Sequence, residues 1–384
     1  MKLLEIGIYP QDHNNIKGGV MATVYGLAKQ LAQNPDNTIR VISLPYDKHD
    51  QANTPQQQRV SNNLTVCHIP LKYNHQLGGL LQIRQIIKQI KSYQADVCHI
   101  HGSVFVAYVV AWYIKLIANT PAMFSIHGII NIELKRLWQD HQRSYGQRCK
   151  NFIQWLIYAP AEALTCYLYK NHLHVGTPYV AKQLKRDCFI LPQGINQPEF
   201  TNVKASFGAN FISIGVIHQR KGHHLLIAAF KILQQQLPQA TLTIIGNKTD
   251  ATYLEKLLAM CQGNAGITIK VNASRQEIIT ALGQASIFVL HSYEESQGIS
   301  LCEAMACGLP VVATNIGGIP FVIGHQQQGL LSAYGDVDSF ANNMMRLAND
   351  QSLWQSYHNS CLVKANDFYW QNINDKMQQR LTQL

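Results

Sequence analysis

Residues 291–318 read HSYEESQGISLCEAMACGLPVVATNIGG and set two carboxylates, Glu295 and Glu303, eight positions apart around an expected helix start. Ionised carboxylates accept strong hydrogen bonds, so either acid could hold hydroxyl groups of a sugar. Ser300-Leu-Cys-Glu303 has the capping-box pattern, with Ser300 as N-cap and Glu303 folding back on it. Gly308 suits the position after the helix, and Pro310 stops its continuation. The first amides of a helix lack intrahelical partners and carry partial positive charge. The helix start is therefore expected to seat a phosphate, and Gly298, Ile299 and Ser300 around it are expected to bind the donor. Two readings stay open for each acid. Glu303 either closes the cap or grips the vicinal hydroxyls of a ribose, and Glu295 either meets a sugar or is a solvated loop acid.

Such a loop needs a scaffold. Short apolar runs alternate with helical patterns along the whole chain, which indicates βαβ units and parallel sheets, an α/β fold of two doubly wound Rossmann-like domains. LLEIGIYP, NLTVCHIP, ADVCHIHG and AMFSIHG read as strands of a first series, and LLQIRQIIKQIKSY as one of its helices. CFILPQGINQPEF, with Pro192, Gly194 and Pro198, reads as an interdomain joint. A second series runs from NFISIGV to PVVATN, followed by helices from about residue 337. The expected domains are 1–195 and 196–365, with a helix over 366–384. Open α/β sheets bind ligands at the carboxyl ends of their strands, so a cleft shared by both sheets is the expected site. The glutamine runs 56–58 and 326–328 are expected to be exposed loops.

Composition narrows the class. The 384 residues are 47% hydrophobic and 14% charged, a folded and not a disordered balance. The net charge of +10 resides wholly in the first half: residues 1–195 carry 20 Lys and Arg against 10 Asp and Glu. A basic half attracts polyanions or an anionic membrane face, or is simply solvating charge. Nine scattered cysteines without a Cys-x-x-Cys pair suit a reducing cytosol, so a cytoplasmic location is expected. MKLLEIGIYP, with Glu5, is not read as a secretory signal. Residues 104–114 are too short to span a bilayer, and 152–169 carry Pro160 and Glu162, so both are expected as buried or interfacial helices. No metal site is expected, since His99 and His101 alternate as strand residues do. Asp336-Val-Asp338 opens a helix and is read as its cap. A nicotinamide enzyme is disfavoured because no Gly-x-Gly-x-x-Gly follows a strand, and nucleic-acid binding because no recognition signature is present.

Glu295-x7-Glu303, the following AMACGLPVVAT and Gly317-Gly318-Ile-Pro together resemble the signature of retaining glycosyltransferase family 4. Gly18-Gly19-Val, LPQGIN, RKGHHLLIAAF, QGLLSAYGDVDSFANNM and DFYWQNINDKM resemble further elements of that family over nearly the whole chain. The resemblance implies a GT-B fold, with two domains facing a central cleft and a C-terminal helix crossing back to the first. It also implies retaining transfer of a sugar from a nucleotide-activated donor, UDP- or GDP-linked, with no cofactor. Carried over, Glu295 contacts the transferred sugar, Glu303 the ribose, and Lys221, with Arg220 beside it, the diphosphate. Gly18 and Gly19 let a loop approach that diphosphate. His127, in a matching His-Gly element, faces the cleft near the donor sugar and acceptor. It is expected with Glu295 to be catalytic, while His101 is expected to contact the acceptor. Two positions depart from the family. Val216 stands where an Arg is usual, and Gln297 stands where an aromatic is common, which changes the expected wall beside the sugar.

The acceptor side is read from residues 131–150, whose Lys135 and Arg136 lie among aromatics next to an apolar stretch. That mixture suggests a saccharide or lipid-linked acceptor and peripheral contact with the inner membrane face, or an ordinary packed helix. The leading expectation is a hexosyl- or N-acetylhexosaminyl-transferase of surface polysaccharide or glycolipid synthesis. Its rivals are a nucleotide-sugar epimerase or phosphorylase of the same architecture, and a non-catalytic binding scaffold.

Overall fold

The computed structural model describes residues 1–12, 16, 18–44, 55–70, 78–139, 144–203 and 205–384. They form two compact units, Met1–Pro192 with Asn374–Leu384, and Gln193–Ile373.

The first unit holds β1 (Lys2–Gly7), β2 (Thr38–Ser43), β3 (Gln56–Arg59), β4 (Leu64–His68), β5 (Val97–Gly102), β6 (Ala122–Ile126), β7 (Leu173–Val175) and β8 (Phe189–Ile190). Their order is β3-β4-β2-β1-β5-β6-β7-β8, parallel except for β3. β5 and β6 are buried at every position, as strands covered on both faces must be. Gln56–Arg59 is a correction to the loop expected there. It is exposed, but its backbone pairs antiparallel with β4 from Gln56↔His68 to Arg59↔Thr65. Polar side chains on both faces are what an edge strand tolerates. The tail from Asn374 onward is tied to this unit by Asn37 Nδ2 donating to Gln378 Oε1 at 2.8 Å and Arg380 donating to the Asn171 carbonyl at 2.8 Å.

Residues 104–114 fall mainly in the helix Phe105–Tyr113, which buries Val106, Ala107, Tyr108, Val110 and Ala111. Residues 152–168 belong to the longer helix Tyr145–Leu168, capped by the Ser144 side chain and containing Pro160. Among the described residues no helix is long and apolar enough to cross a membrane. Glu162, on that helix, is buried and accepts from the Ile130 amide at 3.0 Å. Burial pushes its carboxyl up to about 7, against the hydrogen bonds from Ile130 and Asn131. In the folded state it therefore binds a proton that the unfolded chain releases near the ordinary carboxyl value. Stability should fall as pH rises from about 4.5 to about 7, because the unfolded state binds fewer protons there. Unfolding measured across this window should show a steeper fall for the native chain than for Glu162→Gln. Equal slopes would refute the assignment.

The second unit holds β9 (Asn210–Ile214), β10 (Thr241–Gly246), β11 (Ile267–Val271), β12 (Ile287–Leu290), β13 (Val311–Thr314) and β14 (Gly329–Ser332) in the parallel order β11-β10-β9-β12-β13-β14. The order reverses between β9 and β12, the switch point where ligands of such sheets bind. Phe211, Leu242, Ile244, Phe230 and Phe340 pack in one apolar layer of this unit, and Phe288, Leu290, Met305 and Cys361 in another. Asp336 caps the helix Val337–Asn349, its Oδ1 accepting from the Ser339 amide at 3.0 Å, as its position before the helix implies.

Candidate functional site

The loop 291–298 leaves the carboxyl end of β12, and its shape is imposed by glycines on neighbouring segments. A Cβ on Gly222 would lie 2.0 Å from the His291 carbonyl oxygen, and one on Gly317 would lie 2.1 Å from the Glu295 carbonyl oxygen. Both glycines have positive φ, +63° and +58°, a region that favours glycine. The Gly318 amide donates to the Glu295 carbonyl at 2.8 Å, and the Tyr293 amide to the Arg220 carbonyl at 3.0 Å. The second glycine pair thus clamps the backbone of the first acid. The Arg220-Lys221-Gly222 turn braces the same loop from the other side, with Arg220 donating to the Glu294 carbonyl at 3.3 Å.

Within this frame Glu295 and Lys221 are nearly buried and form an ion pair, Lys221 Nζ on Glu295 Oε2. The lysine stem runs over Gly215, where a Cβ would meet Lys221 Cε at 3.2 Å. The sequence reading gave these two residues separate ligand contacts; the structure brings them together. An ammonium and a carboxylate this nearly buried form a preorganised pair of opposite charges. Burial, with the Lys221 ammonium next in influence, pushes the adjacent His223 down to about 3, so its imidazole is neutral at physiological pH.

The helix after the loop is Ile299–Ala306, and its N-cap is Gly298, in the left-handed conformation with φ +86° and no side-chain cap. This corrects the capping box. The Gly298 turn starts the helix before Ser300, which lies inside the first turn. Glu303 instead takes Arg275, whose NH1 stands 2.7 Å from Oε1. Arg275 also binds Glu199 at 2.6 Å through NH2 and rests over the Phe200 ring at 5.3 Å. The C-terminus follows the expected design: Gly308 has φ +75°, its amide bonds Met305, and Leu309 bonds Ala304. That is a Schellman motif. Gln297, in the same loop, finds a backbone partner. Its side chain is buried and pairs with the backbone of Gln193, accepting from the amide at 2.7 Å and donating to the carbonyl at 2.9 Å. A side chain occupied in this way anchors the 193 segment.

In the first unit, Gly18 (φ +88°) caps the helix Gly19–Leu31 without a side-chain bond. His127 follows β6 and is half-buried, its Nε2 2.9 Å from His101 Nδ1. His101 itself is fully buried, so the direct acceptor contact expected for it is not available. Glu5, His99, Ser125 and His174 continue a polar row across β1, β5, β6 and β7. Burial, then the neighbouring imidazoles, holds His127 well below the usual value and His174 down to about 3; burial and His101 bring His99 to about 4. Lys135 and Arg136 are exposed on the helix Ile130–Gln139, which packs on Tyr145–Leu168 with Trp138 5.2 Å from Phe152. Residues 140–143 of that basic stretch lie outside the described residues.

Arg275, Glu199 and Glu5 escaped the sequence reading. Arg275 opens a helix through the Ser274 cap and reads locally as first-turn surface charge, and Glu5 reads as a lapse in an apolar strand. Only the pairing of distant segments gives them partners.

Two family models match the chain, "Glycosyltransferase Family 4" over residues 17–169 and "Glycosyl transferases group 1" over residues 200–360. A D-inositol 3-phosphate glycosyltransferase of Corynebacterium jeikeium is 31% identical over 166 residues, covering 41% of this chain and 39% of that protein. An amylovoran biosynthesis glycosyltransferase of Erwinia amylovora is 31% identical over 168 residues, covering 41% of each. The matched segment thus spans about two fifths of these relatives. Among solved structures, sucrose-phosphate synthase from Thermosynechococcus elongatus aligns with a TM-score of 0.79 at 20% identity, covering 100% of this chain and 98% of its own. Anabaena HepE in complex with UDP and glucose aligns at 0.74 with 17% identity, covering 100% of both chains. These likenesses establish the GT-B fold. With one family model matched to each half, the chain belongs to the GT4-type glycosyltransferases.

Proposed function

We propose that the chain is a retaining glycosyltransferase that moves a hexose or N-acetylhexosamine from a nucleotide-diphosphate sugar to a saccharide or lipid-linked acceptor. The observation that carries this reading is the Lys221–Glu295 pair, fixed by Gly222 and Gly317 against the loop that leads into the Gly298 helix start. On donor binding, Lys221 moves its charge to the diphosphate, where departure of the nucleotide builds negative charge. Arg220 and the amides of Ile299 and Ser300 add to that field, so the reading gives no role to a divalent metal. Glu295, released from the lysine, takes hydroxyls of the sugar. Glu303, oriented by Arg275, takes the ribose. UDP is the favoured nucleotide, since the solved neighbour from Anabaena is described in complex with UDP and with UDP-glucose.

The acceptor is placed at a membrane face, in keeping with a cytoplasmic and peripheral protein. Tyr145, Phe152, Ile153, Leu156, Leu164 and Tyr167 leave an exposed apolar stripe along the helix Tyr145–Leu168, and Lys135 and Lys150 stand exposed nearby in sequence. Contiguous apolar surface flanked by cations suits a lipid-linked saccharide in an anionic bilayer.

Thermal unfolding with UDP, GDP and ADP tests the nucleotide assignment. UDP at about a hundred times its Kd should add about 2.7 kcal/mol of stability, with Glu303→Gln weakening the response. Equal indifference to all three nucleotides would sink the proposal.

A further inference from the structure

We propose that Glu5, His99 and His101 form a buried structural site for one zinc-type divalent ion, which joins β1 to β5 and has no part in the sugar transfer proposed above. Strand alternation, which by itself gives no metal spacing, sets both imidazoles on one face of β5. The pairing Glu5↔His99 then brings the β1 carboxylate alongside. All three residues are 0% exposed, and their ligand atoms lie within 4.8 Å of one another. His99 Nδ1 stands 3.3 Å and His101 Nε2 3.9 Å from Glu5 Oε1. Tetrahedral zinc, with bonds of about 2.0–2.1 Å, holds its ligand atoms about 3.3 Å apart. The Glu5–His99 edge already has that length, and the wider ones close by small movements of the His101 ring. Gly7 leaves that ring its place: a Cβ there would stand 3.3 Å from His101 Cδ2.

Hydrogen-bond polarity along the row leaves His99 ready to be a ligand. His174 Nε2 lies 2.9 Å from the Leu191 carbonyl, which can only accept, so Nε2 carries the proton. Its Nδ1 then accepts from the Ser125 hydroxyl, 2.6 Å away. That bond uses the only proton of Ser125, so His99 Nε2, 2.6 Å from the same oxygen, donates to it. The neutral His99 ring consequently turns a lone pair on Nδ1 toward Glu5 Oε1. A lone pair and a carboxylate oxygen facing each other in a fully buried place repel unless positive charge stands between them.

Two further atoms at this place lack partners. Glu5 Oε2 and His101 Nε2 are buried without a hydrogen bond, and leaving such atoms unpaired is costly. A metal ion between them satisfies both. The outer nitrogen of each ring is meanwhile engaged, His99 Nε2 with Ser125 Oγ and His101 Nδ1 with His127 Nε2 at 2.9 Å. Metal-bound imidazoles are oriented by such bonds from their second nitrogen. With Glu5 bound through both oxygens, the three residues supply four ligand atoms, the number a closed structural zinc site has.

A site closed to solvent takes its metal as the chain folds, so refolding is the test. The chain is unfolded with a chelator, refolded with or without zinc, passed through a gel-filtration column, and assayed for bound zinc and for urea unfolding. The native chain should retain one zinc, show two imidazole ligands by X-ray absorption, and unfold at higher urea than its zinc-free form. Glu5→Gln and His101→Gln should lose the zinc. Ser125→Ala, which removes the acceptor of His99 Nε2, should weaken zinc binding by about 10–100-fold. Should Glu5→Gln not fold, His101→Gln and the absorption spectrum of the native chain still decide. A native chain that retains no zinc, equal urea midpoints with and without it, or thiolate sulfur among its ligands would overturn the proposal. So would zinc retained undiminished by Glu5→Gln or His101→Gln.

Discussion

Lys221→Met is expected to destabilise the second unit by about 3 kcal/mol or more, the cost of leaving a nearly buried carboxylate without its cation. The side chains of Lys221 and Glu295 are only 10% and 11% exposed, so solvent screens the pair little. The loss should be asymmetric. Replacing both members, Lys221→Met with Glu295→Leu, removes the stranded charge as well as the pair and should recover most of the stability. On the proposed function neither variant should transfer sugar, because one lacks the ammonium assigned to the diphosphate and the other lacks the acid too. Urea unfolding of the single and double variants measures the first effect, and release of UDP from UDP-glucose measures the second. A double variant less stable than Lys221→Met would show that the pair itself, and not the cost of an orphaned charge, dominates.

Gly317→Ala should be comparably damaging for a different reason. Its new Cβ would stand 2.1 Å from the Glu295 carbonyl oxygen, a backbone atom that cannot swing aside. The positive φ adds about 1–2 kcal/mol of strain, and overpacking of this kind costs about 1–3 kcal/mol. Because the clash falls on Glu295, relief of it moves the acid, so nucleotide-sugar affinity should drop along with stability. Gly263→Ala is the control. It shares a positive φ, +76°, yet a Cβ there meets nothing within 4 Å, so only the strain of about 1–2 kcal/mol should appear. Equal losses at the two glycines, measured by urea unfolding, would mean that the contact with Glu295 is immaterial.

These cases mark where the amino-acid sequence suffices. Periodicity located most strands and helices of both units, because strands buried on two faces and helices with one apolar stripe leave strong patterns. It missed β7, β8 and β14, whose two to four residues are too short for a pattern, and β3, whose glutamines look like loop. At the site, spacing singled out Glu295 and Glu303, and the family resemblance of the Arg220-Lys221-Gly222 segment added Lys221, but neither gave their present partners. Arg275 lies 28 positions from Glu303, and Lys221 lies 74 from Glu295, so these pairings depend on which strand ends the sheet makes adjacent. Ser300 failed as a cap because Gly298 can adopt a left-handed turn that starts the helix earlier, a choice local pattern does not register. The histidine row was the least legible. Its members lie on four separate strands, and only the sheet order aligns them.

The most direct trial of the account is a crystal structure of the chain with UDP and an unreactive UDP-hexose analogue. The account predicts Lys221 turned from Glu295 onto the diphosphate, Glu295 on hydroxyls of the hexose, Glu303 on the ribose, and the diphosphate against the amides after Gly298. A nucleotide bound elsewhere, with Lys221 and Glu295 still paired to each other, would contradict it.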